Sequence, residues 1–161
     1  MSYDVKRILV PVDFSLCSWS ALQHAAALAR KLAAEVDILH ILETPHYIVP
    51  EVMVFPPGEA PQTLAEYTRT QVSKEMDRFL QDAPNVGDVP IRVLIERGDP
   101  LRKIIELAEN NGYDLIVMGT HGRRGLTHLL LGSVAERVVQ RSRCPVLTVH
   151  PPQTDGGTPE V

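Results

Sequence analysis

The clearest chemical pattern in the chain runs from Gly119 to Ser133, where three glycines and a serine keep the spacing G-x2-G-x9-G-S at Gly119, Gly122, Gly132 and Ser133. An apolar run that reads as a strand precedes it, and a helical pattern begins at the serine. A helix amino terminus carries backbone N–H groups with no partner inside the helix, together with partial positive charge, and so favours an anion. Glycine lets such groups come close to phosphate oxygens and turns them inward as a nest. Ser133 adds a hydroxyl donor. Taken singly, each glycine is better explained by a tight turn or close packing. Four positions in one strand-to-helix loop favour a cradle for phosphate. Arg123 and Arg124 fall inside this loop and could reach outer phosphates, but loop arginines are most often merely solvated, which is the favoured reading. The chain has no G-x4-G-K-[ST] and no GxGxxG in its first strand-to-helix turn, so the residues alone specify a phosphate-bearing small molecule and no more.

The other turn able to meet a ligand is Pro11-Val12-Asp13-Phe14-Ser15. Asp13 either contacts that ligand or bonds its own following backbone as a turn residue, and both readings stay open. Cys17 and Cys144 make neither a zinc spacing nor a CxxC pair and are expected to be reduced, buried apolar groups. The six histidines are scattered, without an HxxxH or HExxH helix, so a structural metal site is not expected.

These turns need a scaffold. Residues 7–12, 36–42, 91–95, 115–118 and 146–149 are short apolar runs of the kind buried on both faces of a parallel sheet. Between them lie helical patterns. Ser15 caps one in which Leu16, Trp19, Leu22, Ala26, Ala29 and Ala33 recur at three- and four-residue steps. Asp99-Pro100 opens another that ends at Asn111-Gly112. Residues 62–81 and 133–141 form two more. The alternation predicts an α/β fold: a doubly wound, open, five-stranded parallel sheet with helices on both faces, Rossmann-like, in the strand order 3-2-1-4-5. Ligands then sit beyond the carboxyl ends of the strands, where the order reverses.

Residues 1–150 are expected to form a single domain and residues 151–161, rich in proline and glycine, a disordered tail. The segment from Thr44 to Pro61 is a proline-rich loop whose apolar residues should pack against something. A formal charge of −4 and a pI near 5.8 argue against a nucleic-acid partner, which needs a lysine and arginine excess. The amino-terminal apolar run stops at Asp13, so neither a secretory leader nor a membrane span is expected and a cytoplasmic location follows.

The stretch DLIVMGTHGRRGLTHLLLGSVAERVVQRSRCPVLTV, residues 114–149, closely resembles the carboxyl-terminal half of universal stress proteins, and the glycine spacing is that of their ATP-binding branch. KRILVPVDFS, ILHILE and GDPLRKIIELAENNGYDLIVMG carry the likeness back to about Lys6. Many family members have glycine or another small residue where this chain has Phe14.

The resemblance implies an ATP site, with Mg2+ accompanying the nucleotide. Asp13 would contact the adenosine against a wall of Pro11 and Val12, and Ile41 would meet adenine through its backbone. Gly119, Gly122, Gly132, Ser133 and Val134 would hold the phosphates, with Met118 and His121 close by. It also implies a homodimer paired antiparallel across a two-fold axis through the fifth strand, itself an apolar run at a sheet edge. The function so implied is an ATP-binding stress-response regulator with little or no hydrolysis and partner proteins still to be found. A slow ATPase or nucleotidyl-transfer enzyme is the alternative, and would need a positioned base, a magnesium carboxylate and a cation on the leaving phosphates. A ligand-free interaction module is the third reading, against which the intact glycine spacing speaks.

Overall fold

The computed structural model describes residues 4–43, 49–83, 86–121 and 132–150. Along the chain its elements are β1 (Arg7–Pro11), α1 (Leu16–Leu32), β2 (Glu35–Leu42), β3 (Met53–Val54), β4 (Gln62–Thr63) and α2 (Leu64–Gln81). Then follow β5 (Ile91–Arg97), α3 (Pro100–Asn110), β6 (Leu115–Gly119), α4 (Ser133–Arg141) and β7 (Val146–Val149). Five strands pair in the order β5-β2-β1-β6-β7. Every neighbouring pair is parallel. Counted by the strands of this sheet alone, the order is the expected 3-2-1-4-5.

Alternate residues of the strands feed two cores, because successive side chains of a strand point to opposite faces. Ile8, Val10, Val36, Ile38 and Val117 pack with α1 and α2 residues such as Leu22, Ala25, Met76 and Phe79. Leu9, Leu39, Ile116 and Met118 pack with Leu101 and Ile104 of α3 and with Ala135 and Val138 of α4. Fully buried side chains such as Ile8, Leu39 and Ile116 each contribute about 1.5–3 kcal/mol relative to exposure. The sheet is therefore held on both sides.

Local signals set the helix ends. Ser15 Oγ accepts from Ser18 N at 3.2 Å to open α1, and Asp99 Oδ1 accepts from Arg102 N at 2.9 Å, with Pro100 following, to open α3. Gly112 follows α3 at φ +64, where a Cβ would be disfavoured. Leu22, Ala26 and Ala29 of the expected stripe are buried in α1, and Cys17, Ser18, Ser20, Ala21 and Ala25 widen that face, whereas the two ends of the stripe depart from it. Leu16 is 72% exposed and Ala33 is the left-handed cap. The small residues win the inner face because they let the helix lie closer to the sheet.

Two features differ from expectation beyond α1. Residues 62–63 belong to β4, antiparallel to β3, and α2 begins only at Leu64 behind a capping box in which Thr63 and Glu66 bond reciprocally. The apolar loop before α2 is tied by backbone, with Leu64 N donating to Val52 O at 2.7 Å and Ala65 N to Pro50 O at 2.9 Å. Of its described apolar side chains Val54 is half-buried, while Val49, Val52, Met53 and Phe55 stay exposed, Phe55 by 75%. Main-chain hydrogen bonds hold the arm without needing its apolar groups.

Near the start of β2, Asp37 is buried beneath two guanidinium groups and a phenol. It accepts from Arg7 Nη2 at 3.0 Å, from Arg92 Nε at 3.0 Å and from Tyr113 Oη, while Arg7 lies 4.5 Å over the Tyr113 ring. Burial opposes ionisation of Asp37, but the hydrogen bonds from Arg92, Tyr113 and Arg7 outweigh it and hold the carboxyl below its ordinary value. The Tyr113 phenol is pushed up to about 12 by burial and by Asp37. Cys17 and Cys144 are both buried and free, as expected, and burial raises the Cys144 thiol to about 11.

Candidate functional site

The chain passes from β1 outward to β2 and β5, then returns to place β6 on the other side of β1. The reversal lies between β1 and β6, and their carboxyl ends flank the crevice in which open α/β sheets receive ligands.

On the β1 side, Pro11 ends the strand and Val12 N donates to Leu39 O at 2.8 Å. Asp13 Oδ1 accepts from Ser15 N at 3.1 Å, the local turn bond that was one of its two readings. Phe14 follows at φ +62, the left-handed region in which glycine is at ease. Its ring stacks on His40 with centroids 4.5 Å apart and meets Phe79 edge-on at 5.6 Å. His40 Nδ1 in turn lies 2.8 Å from Val12 O. His40 is thus a satisfied sheet residue that braces the turn carrying Asp13.

On the β6 side, Met118 is buried in the core under α3 and α4, and Ile41 packs partly against the same core. Gly119 ends β6 on the opposite face. A Cβ built on Gly119 would stand 2.6 Å from Cys17 Cβ, so this glycine is required by the close approach of α1 to the sheet. Thr120 continues the strand by donating its N–H to Val149 O at 2.9 Å, and its carbonyl accepts from Gly132 N–H. That bond brings the amino end of α4 to the end of β6.

Gly132 is the residue before α4, at φ −57 and ψ 149, and no side chain caps the helix. Glycine has no group with which to do so. The first-turn amides of Ser133 and Val134 therefore meet no capping hydroxyl or carboxylate from their own Ncap residue, the arrangement that suits an outside anion. Gly132 N–H itself is spent on Thr120 O.

Asp13, Gly119, His121, Gly132, Ser133 and Val134 are thus gathered around the ends of two adjacent strands. Gly122 lies outside the described residues, as do Arg123, Arg124, His128 and the tail 151–161. Thr120 was missed by sequence reasoning: it occupies an unspecified position of the glycine pattern, and its role depends on a contact with residue 132. A shallow cleft of about 330 Å3, lined by Phe14, Ser15, Leu16, Trp19, Phe79 and Asp82, opens beside the crevice on the α1 and α2 face. Among the described residues no group of three or more His, Cys, Asp or Glu side chains could hold a metal ion, and no helix is long and apolar enough to cross a membrane.

A five-stranded parallel sheet in this order, covered by helices on both faces, defines the class of doubly wound α/β domains. Within that class, the profile of the Universal stress protein family matches residues 4–150, and the chain belongs to that family. Universal stress protein MJ0531 of Methanocaldococcus jannaschii is 33% identical over 150 residues, covering 93% of this chain and 85% of the relative. The solved structure of MJ0577, described as a structure-based assignment of biochemical function, aligns with a TM-score of 0.72 at 28% identity, covering 94% of this chain and 99% of that one. A universal stress protein solved in complex with cAMP shares the fold, with a TM-score of 0.65 at 23% identity over 91% of this chain and 98% of that one.

Proposed function

We propose that this protein is an ATP-binding stress-response regulator that takes the nucleotide, with its Mg2+, at the carboxyl ends of β1 and β6. The observation that carries the reading is the amino end of α4, which lacks a side-chain cap and is tethered by Gly132 N–H to the Thr120 carbonyl at the switch point. Ser133 and Val134 would hold phosphate through their amides, with Gly119 and Gly122 shaping the approach. Asp13, between Val12 and the α1 cap, would take the ribose, and the Ile41 backbone at the end of β2 would take adenine.

Hydrolysis is not central to this reading. Asp13, the carboxylate at the β1 end, already accepts from Ser15 N, and catalysis would further need a magnesium carboxylate and a cation on the leaving phosphates. The family fold argues for a dimer through β7, which ends the sheet order and leaves Leu147 38% exposed. Light scattering at micromolar concentration should report a mass twice that of the chain. One domain over residues 1–150, in the cytoplasm, completes the proposal.

The test is to denature purified protein, identify the released nucleotide, and compare melting with ATP and GTP. ATP should be recovered and should raise the melting temperature more than GTP, because a backbone contact to adenine is not matched by the guanine edge. Equal shifts with the two nucleotides would mean that the base is not read. No shift with either would favour the ligand-free interaction module.

A further inference from the structure

The cleft between the start of α1 and the end of α2 contains none of the residues assigned to the nucleotide, yet it concentrates aromatic side chains. Phe14, Phe79 and Trp19, the single tryptophan of the chain, all line it. Phe79 is buried in the core beneath α1 and α2, and Phe14 and Trp19 pack half-buried against that core, so the rings are held in place before any ligand arrives. Phe14 keeps its ring there at φ +62. Backbone strain of that kind gathers at binding sites.

The polar groups of the cleft narrow the ligand. Ser15 Oγ is already engaged, accepting from Ser18 N at 3.2 Å and lying 3.4 Å from Ser18 Oγ. Asp82 is different. It ends α2 through its backbone N–H, which donates to Arg78 O at 3.0 Å, while its exposed carboxylate makes no hydrogen bond or ion pair among the described residues. A negative charge at a helix carboxyl end opposes the helix dipole, so the stability of α2 does not explain this carboxylate. No basic side chain lines the cleft, and among the described residues no cation lies over the rings of Trp19 or Phe79.

Aromatic faces attract cations, and a neighbouring carboxylate adds to the attraction. Phosphates and sugars need hydrogen-bond donors that these walls lack. A primary ammonium has three donors to satisfy and would find one carboxylate. A quaternary ammonium has none, and presents its charge through apolar methyl groups. We propose that this cleft binds a small quaternary ammonium compound, with its methyl groups against the aromatic walls and its charge balanced by Asp82. The volume of about 330 Å3 falls at the small end of ligand pockets, which suits such a molecule. The inference stands apart from the nucleotide site and holds whether or not ATP binds.

The test compares choline with dimethylbutanol, a neutral molecule of the same shape, with sodium chloride at matched ionic strength as the control. Trp19 reports directly, since no other tryptophan contributes to the fluorescence. Choline should change that fluorescence saturably, with an affinity about fivefold to thirtyfold above that of dimethylbutanol. Asp82→Asn keeps the backbone bond that ends α2, so it should fold as the parent does, bind choline about threefold more weakly and leave dimethylbutanol unchanged. Trp19→Leu, followed by calorimetry, keeps an apolar wall without a π face and should lose most of the preference for choline. A folded parent that gives no saturable response to choline overturns the proposal. Equal affinity for the two molecules would leave only an apolar cleft, which also overturns it. So does an Asp82→Asn protein that holds choline as tightly as the parent.

Discussion

Gly119 runs so close to Cys17 that a Cβ added to it would lie 2.6 Å from the cysteine Cβ and 2.8 Å from its backbone carbonyl carbon. The contact joins the start of α1 to the end of β6, the two elements that flank the crevice. Gly119→Ala should therefore destabilise the fold by about 1–3 kcal/mol, the usual range for overpacking a filled interior. Trimming the partner should not repair it. Because the second clash is with backbone, the double variant Cys17→Gly, Gly119→Ala should remain destabilised in urea melts. Parental stability in Gly119→Ala would show that α1 can move away without penalty.

Phe14 carries a full side chain at φ +62 and offsets that strain with ring contacts to His40 and Phe79. Phe14→Ala removes the ring and keeps the strain. Phe14→Gly removes both, so it should be more stable than Phe14→Ala by about 1 kcal/mol while remaining less stable than the parent. Denaturant midpoints of the three proteins check the order. Alanine equal to glycine would mean that the turn relaxes once the ring is gone.

Asp37 has a carboxyl held below its ordinary value, so its contribution to stability is complete above the unfolded-state pKa and is lost as pH falls through the folded one. Stability of the parent should decline below about pH 4, whereas Asp37→Asn should lack that component. At neutral pH the substitution should cost on the order of 3 kcal/mol, because Arg7 and Arg92 lose their shared anion. Urea melts across pH 3–7 give both quantities, and parallel curves for the two proteins would remove Asp37 from the account.

Much of the scaffold was legible because parallel strands buried on both faces read as unbroken apolar runs, and because Asp99-Pro100 and Ser15 are strong helix starts. The β3–β4 pair was not, since two-residue strands are too short to show alternation. Thr63-x-x-Glu66 did carry a capping-box signal that places the start of α2 correctly. The Asp37 cluster draws on residues 7, 37, 92 and 113, which no local pattern connects. In the candidate site, the glycine spacing does not separate roles: Gly119 is required by its close approach to Cys17, and Gly132 leaves the start of α4 without a side-chain cap. Thr120 and the left-handed Phe14 depend on tertiary contacts that the spacing does not encode.

The central claim is that the start of α4 holds the phosphates, and Gly132 tests it without disturbing the core. Its φ of −57 is open to any residue, so Gly132→Val should fold as the parent does, with unchanged far-ultraviolet circular dichroism. A branched side chain at that cap would occupy the space in front of the Ser133 and Val134 amides. The decisive measurement is the ATP-dependent melting shift of the two proteins side by side. The parent should gain about 2.7 kcal/mol at a hundredfold excess of ATP over Kd. Gly132→Val should gain none, and a normally folded variant that keeps the full shift would contradict the account.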